Sequence, residues 1–134
     1  MQISKELYSN FEKLGIAVLY LFGSRAQGLA TAHSDYDFGI LLENPSVIKD
    51  ESMNLYQKIY ELLQEEVKDK VNMDIVFLDR SPMQLRYHVI RYGQVLYDGN
   101  PMKRGRFIEQ TLEEHADFEP HRRLFEKSIL AQIP

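Results

Sequence analysis

Leu21 to Glu43 reads LFGSRAQGLATAHSDYDFGILLE. A glycine and a serine close one apolar run and two aspartates open another, so this stretch decides the fold. The runs, Ile16 to Phe22 (IAVLYLF) and Phe38 to Leu42 (FGILL), are short and rich in β-forming residues, as buried strands are. Gly23 and Ser24 then fall at a strand end. Glycine there lets the backbone approach a ligand, and the serine hydroxyl with the following N–H groups can hold phosphate oxygens as a short helix starts near Arg25. Arg25 offers a guanidinium fork for a phosphate that the serine also touches, or is simply a surface charge. Residues 28–34 read as a loop. Asp35 and Asp37 flank Tyr36, and on a strand positions i and i+2 face the same side, roughly 6 to 7 Å apart. Two carboxylates facing one place invite a hard divalent cation.

Outward from this stretch, Asn44-Pro45 breaks the second strand, which starts near Asp35 and runs to Glu43. Asp50 to about Lys68 predicts a long helix, with Leu55, Ile59, Leu62, Leu63 and Val67 on one face. Val71 to Leu78 predicts a third strand. Asp74 stands in its middle, where a charge between apolar neighbours needs a partner; Asn72 and Asp79 flank the same run. Ser81-Pro82 starts a helix with proline at the first helical position, and Gly93 closes it after Tyr92. Val95 to Tyr97 adds a short fourth strand before Asp98-Gly99-Asn100-Pro101 turns the chain. On the other side, Ser4 to Leu14 spaces Leu7, Phe11 and Leu14 as a helix does, with Ser4 as its N-cap and Gly15 as its stop.

Helices and strands alternate along the chain, which predicts an α/β (α+β) fold: a mixed sheet of about four strands with flanking helices. Residues 1–100 are expected to form the domain, and 101–134 a helical C-terminal extension of it. In that extension Phe107, Ile108, Leu112, Phe118, Leu124 and Phe125 are scattered apolar anchors, which either complete the core or help to hold a protein partner. Lys103, Arg104 and Arg106 are expected to steer that partner's approach. Arg86 and Arg91 read as solvated helix charges. Of the histidines, His33 lies two residues before Asp35, and His88, His115 and His121 lack the i, i+4 spacing of a helical metal site.

The 134 residues suit one domain, 44% of them hydrophobic and 27% charged, so a folded, soluble chain is expected. There is no cysteine, which excludes disulfides and thiolate metal sites and fits a reducing cytoplasm. The opening MQISKELYSNF has neither a basic start nor an apolar core of a leader, and no apolar run is long enough to span a bilayer. A cytoplasmic protein is therefore expected. The net charge of −4 is uneven: residues 1–79 carry seven basic and thirteen acidic groups, residues 80–134 nine and seven. An acidic first half suits cation binding and argues against direct nucleic-acid contact.

Gly-Ser, ten residues, then Asp-x-Asp resembles the signature of the DNA polymerase beta nucleotidyltransferase superfamily, and GSRAQG in so short a chain resembles its minimal nucleotidyltransferase antitoxins. The resemblance covers roughly residues 5–98. It implies a polymerase-beta-like fold, with Gly23 and Ser24 at the ATP triphosphate and Asp35, Asp37 and a third acid, for which Asp74 is the candidate, holding Mg²⁺. Two ions would bridge the triphosphate and stabilise the attacking and leaving oxygens, and a carboxylate, here Asp74, would raise the alkoxide fraction of the acceptor. It further implies transfer of AMP from ATP to a tyrosine of a HEPN-domain RNase toxin, which the transfer neutralises. A binding-only antitoxin and a small-molecule nucleotidyltransferase are the competing readings. The second typically needs an added helical domain for its acceptor pocket.

Overall fold

In the computed structural model, residues 1–68 and 70–131 are described, with the side chains of 49–52, 123, 125, 126 and 128–130 excepted. The expected anchor Phe125 and the last three residues of the expected extension lie outside that description. The order is α1 (Lys5–Leu14), β1 (Ile16–Phe22), β2 (Tyr36–Leu42), α2 (Val47–Val67), β3 (Met73–Phe77), a 3₁₀ turn (Leu78–Arg80), α3 (Met83–Tyr92), β4 (Gln94–Asp98) and α4 (Pro101–Ala131).

Local chemistry sets most of these boundaries. The Ser4 hydroxyl accepts from the Leu7 N–H at 3.2 Å and starts α1, while Gly15, at φ 76°, takes the left-handed conformation that ends it. Helix α2 begins three residues before the expected Asp50. Asn44 folds the turn ahead of it by accepting from the Ser46 N–H at 3.2 Å and hydroxyl at 2.7 Å, so the chain enters the helix directly after Pro45. Pro82 is the N-cap of α3 rather than its first helical residue. The short helix expected near Arg25 is absent. Residues 24–28 form turns instead, with Ala26 N–H on Gly23 C=O at 3.2 Å and Leu29 N–H on Ser24 C=O at 2.9 Å, and Gly28 at φ 71° reverses the chain before a second helical turn can form.

The sheet runs β3-β2-β1-β4, with β2 and β3 parallel and the other neighbours antiparallel. Strand β1 is buried along its whole length because both sheet faces are covered. Leu19 and Leu21 join Phe38, Ile40, Ile59, Leu63 and Phe11 under α1 and α2. Val18, Tyr20 and Phe22 join Leu41, Leu78, Val89 and Phe107 under α3 and α4. Each large side chain so buried contributes about 1.5 to 3 kcal/mol.

The C-terminal segment is one helix of 31 residues. Phe107 and Thr111 are buried, so its first turns complete the second core. Arg86, expected to be solvated, is the tie: it donates to Ser81 C=O at 3.1 Å and Thr111 Oγ1 at 3.1 Å, and pairs with Glu114. The expected steering charges are mostly committed as well. Lys103 reaches Asp79 at 3.3 Å and the Leu42 carbonyl, and Arg104 pairs with Asp98 at 2.7 Å. Arg106 is exposed, and no ion pair engages it among the described residues. Further along, Leu112, Phe118 and Leu124 are exposed. Pro120 lies inside the helix and offers no N–H to the carbonyl one turn back.

Candidate active site

The parallel pairing of β2 with β3 sets Asp37 directly beside Asp74. Neighbouring strands lie about 4.8 Å apart, and paired residues project from the same face. Phe22 is the partner of Asp37 on the other side, so the Gly23-Ser24 turn leaves β1 next to the same carboxylate. Asp35, just ahead of β2, is on Asp37's side of the strand by alternation. Asp37's pKa is raised, first by burial, then by the charges of Asp74 and Asp35. The three acids thus share one electrostatic neighbourhood. Among the described residues no three carboxylate or imidazole groups close on a single point at ligating range, and three like charges repel by on the order of 3 kcal/mol per close pair at an effective dielectric near 20.

Gly23 is fixed by the same geometry. Its φ is 74°, and a Cβ added there would lie 2.2 Å from Asp37 Oδ2. Any other residue would displace the carboxylate. Ser24 follows it, half-buried. The turn is pinned from β4, where Gln94 Nε2 donates to Ala26 C=O at 2.9 Å.

Arg25 directs its fork at its own loop. It donates to Ser34 C=O at 3.0 Å, Tyr36 Oη at 3.2 Å and Thr31 C=O at 3.5 Å, and its guanidinium lies 4.0 Å from the centre of the Tyr36 ring. Tyr36 in turn stacks on Phe38 at 5.9 Å. The loop between the Gly-Ser turn and the aspartates is therefore held to the strand by a cation on an aromatic ring. Tyr36 and Gln94 are contributors that the sequence reading missed. Tyr36 was legible as the residue between the aspartates, facing the opposite side; Gln94 carries no local signal.

Asp79, the other acid at the end of β3, has a different setting. Strand pairing between β2 and β3 stops at Ile40 and Phe77, and Asp79 Oδ2 accepts the Leu42 N–H at 2.8 Å while Lys103 lies at 3.3 Å. Asn72 supplies its carbonyl to the Tyr36 N–H at 3.0 Å. Neither belongs to the acid cluster. His33 is exposed in the loop, and His88 packs edge-on against Phe22 at 6.4 Å.

A sheet of this topology, with an acid pair opposite a Gly-Ser turn, defines a class of phosphoryl-transfer domain, and residues 2–102 match the model of "Polymerase beta, Nucleotidyltransferase". The chain belongs to that family. It is 36% identical over 94 residues to the protein adenylyltransferase MntA of Aphanizomenon flos-aquae (strain 2012/KM1/D3), an alignment that takes in 62% of this chain and 57% of that relative. The fold is also that of a chain in the crystal structure of a toxin–antitoxin with AMP-PNP (TM-score 0.65, 21% identity, 92% of this chain and 98% of that one). A chain in the complex of tri-AMPylated Shewanella oneidensis HEPN toxin with MNT antitoxin is similar too (TM-score 0.59, 18% identity, 94% and 98%). No helix among the described residues is long and apolar enough to cross a membrane.

Proposed function

We propose that this chain is a minimal nucleotidyltransferase antitoxin that transfers AMP from Mg-ATP to a tyrosine hydroxyl of a cognate HEPN-domain RNase toxin and so neutralises it, in the cytoplasm and without direct contact to nucleic acid or membrane. The observation that carries the reading is the pairing of Asp37 with Asp74 beside a glycine whose missing Cβ makes room for the carboxylate. The similarity to the MntA adenylyltransferase, and to chains solved with AMP-PNP and with an AMPylated HEPN toxin, supports the substrate and the partner. Residues 1–100 form the nucleotidyltransferase domain in this reading, and 101–134 its helical extension.

The donor set fits Mg²⁺. Three carboxylates on one face, one of them with its pKa raised first by burial and then by the other two, are hard oxygen ligands short of a counter-charge. Asp35, Asp37 and Asp74 would hold one or two ions, which supply positive charge to the triphosphate and to the attacking and leaving oxygens. Gly23 and Ser24 bind the triphosphate, the glycine by close backbone approach and the serine by its hydroxyl. Arg25 keeps the loop between turn and strand in place, and in this reading a remaining N–H of its fork serves a phosphate oxygen. The acceptor hydroxyl attacks the α-phosphorus, Asp74 takes its proton, the α–β bridging P–O bond breaks and pyrophosphate leaves.

The Shewanella oneidensis toxin is tri-AMPylated; where several AMP groups go onto one acceptor, each transfer after the first must use a hydroxyl of the adenylate already attached. Intact-mass analysis tests the reading: the HEPN partner should gain ~329 Da per AMP and stay inactive after separation. An unmodified partner that regains activity on separation would establish a binding-only antitoxin instead.

A further inference from the structure

Helices α3 and α4 enclose a groove of about 570 Å³ on the side of the sheet that carries the acids. Five aromatic rings line it, and so does the Glu119–Arg122 ion pair. Tyr87 and His115 are stacked in parallel, 3.6 Å between centres, and His88 and Tyr92 are 5.1 Å apart. Tyr92 and Phe118 are 45% and 38% exposed, so their rings are open to a ligand. Arg91 stands at the rim, donating to Tyr92 Oη at 3.2 Å and Tyr87 Oη at 3.3 Å. Two of its five N–H groups are used in this way; the rest face solvent, on a guanidinium already fixed in direction.

The groove is continuous with the candidate active site. His88 meets Phe22 edge-on at 6.4 Å, and Phe22 is the strand partner of Asp37. Gly93 joins the end of α3 to β4, whose Gln94 pairs with Leu21. The near end of the groove is thus one residue away from the acids.

Flat rings for stacking and a pre-aimed guanidinium are what an unpaired nucleotide is held by: bases stack on aromatic faces and arginine takes the phosphate. We infer that the α3–α4 groove is a product subsite, which holds the adenylate already attached to the acceptor while its ribose hydroxyl attacks the α-phosphorus of the next ATP. In that step a new P–O bond forms at the ribose, pyrophosphate leaves, and the hydroxyl proton passes to Asp74. The inference rests on the adenylyltransferase reading and deepens it by naming where a growing chain of AMP sits.

The test uses the dinucleoside monophosphate ApA as probe, titrated calorimetrically into the intact chain saturated with AMP-PNP and Mg²⁺. ApA is expected to bind saturably, and Arg91→Gln and Phe118→Ala each to weaken it about tenfold, with AMP-PNP affinity unchanged. Both residues are exposed, so neither substitution threatens the fold. On the HEPN partner, the variants should stop after the first AMP where the unmodified chain continues. Absence of saturable ApA binding, binding indifferent to both substitutions, or loss of the first transfer itself would overturn the subsite; the last outcome would mean that the groove holds the partner's polypeptide. Failure of the unmodified chain to bind AMP-PNP at all would instead remove the adenylyltransferase reading, and the subsite with it.

Discussion

Asp37 and Asp79 stand near opposite ends of the paired strands β2 and β3, and the sheet treats them differently. Asp79 closes the strand ladder: it accepts the Leu42 N–H and has Lys103 beside it, so its charge is matched. Asp37 is partly buried beside Asp74 and Asp35, and its pKa is raised rather than lowered. A carboxylate that holds the fold together is surrounded by donors and cations. Asp37 is surrounded by its own kind and opposes the fold, as a carboxylate reserved for a cation would.

The widest separation of the two ends is expected from Asp35→Asn with Asp37→Asn. Transfer of AMP, read by the mass of the partner, should fall by at least about a thousandfold, with circular dichroism unchanged. Residual transfer within tenfold of the unmodified protein would place the chemistry elsewhere. Asp79→Ala should do the reverse. Removing one member of a largely desolvated pair leaves Lys103 uncompensated, so a loss of about 3 kcal/mol in urea unfolding is expected, with AMP-PNP affinity retained. A stability change of under about 0.5 kcal/mol would show that the pair contributes nothing.

A smaller effect sharpens the same contrast. The folded pKa of Asp37 lies above its unfolded value, so its favourable share of stability is present below the unfolded pKa and is lost as pH rises through the folded one. At neutral pH, without divalent cations, the ionised carboxylate opposes folding. Asp37→Asn should therefore raise the melting temperature at pH 7 and give no such gain at pH 3. An equal or lower melting temperature at pH 7 would mean that the acids are not in conflict. The smallest effect is expected of Arg25→Lys, which keeps the charge but not the planar fork across Tyr36, Ser34 and Thr31. The KM for ATP should rise a few-fold with kcat little changed, since the loop loosens while the carboxylates stay in place.

The sequence reading recovered β1 to the residue and placed all four strands, because short apolar runs between Gly, Asn and Pro signals leave little choice. It also brought Asp35, Asp37 and Asp74 forward as candidates, since period-two alternation fixes which side of a strand a residue faces. What it missed depended on contacts distant in sequence. Gln94 reaches Ala26 across 68 positions, and Arg86 reaches Thr111 and Glu114 from another helix; neither has a neighbour in sequence that announces a partner. The helix expected at Arg25 failed for a local reason: Gly28 ends it before it can nucleate. For Lys103 and Arg104, charge pattern alone could not tell a steering cation from one already paired.

The central claim is that the divalent cation goes to the end of the sheet where the acids conflict. Substoichiometric Mn²⁺, added to the isotope-labelled chain with AMP-PNP, reports this directly through paramagnetic broadening of backbone amide signals. Broadening confined to Gly23, Ser24, Asp35 to Asp37 and Met73 to Ile75 is expected, abolished by Asp35→Asn with Asp37→Asn. Broadening centred on Leu42, Asp79 and Lys103, or spread evenly over the acidic surface, would contradict it.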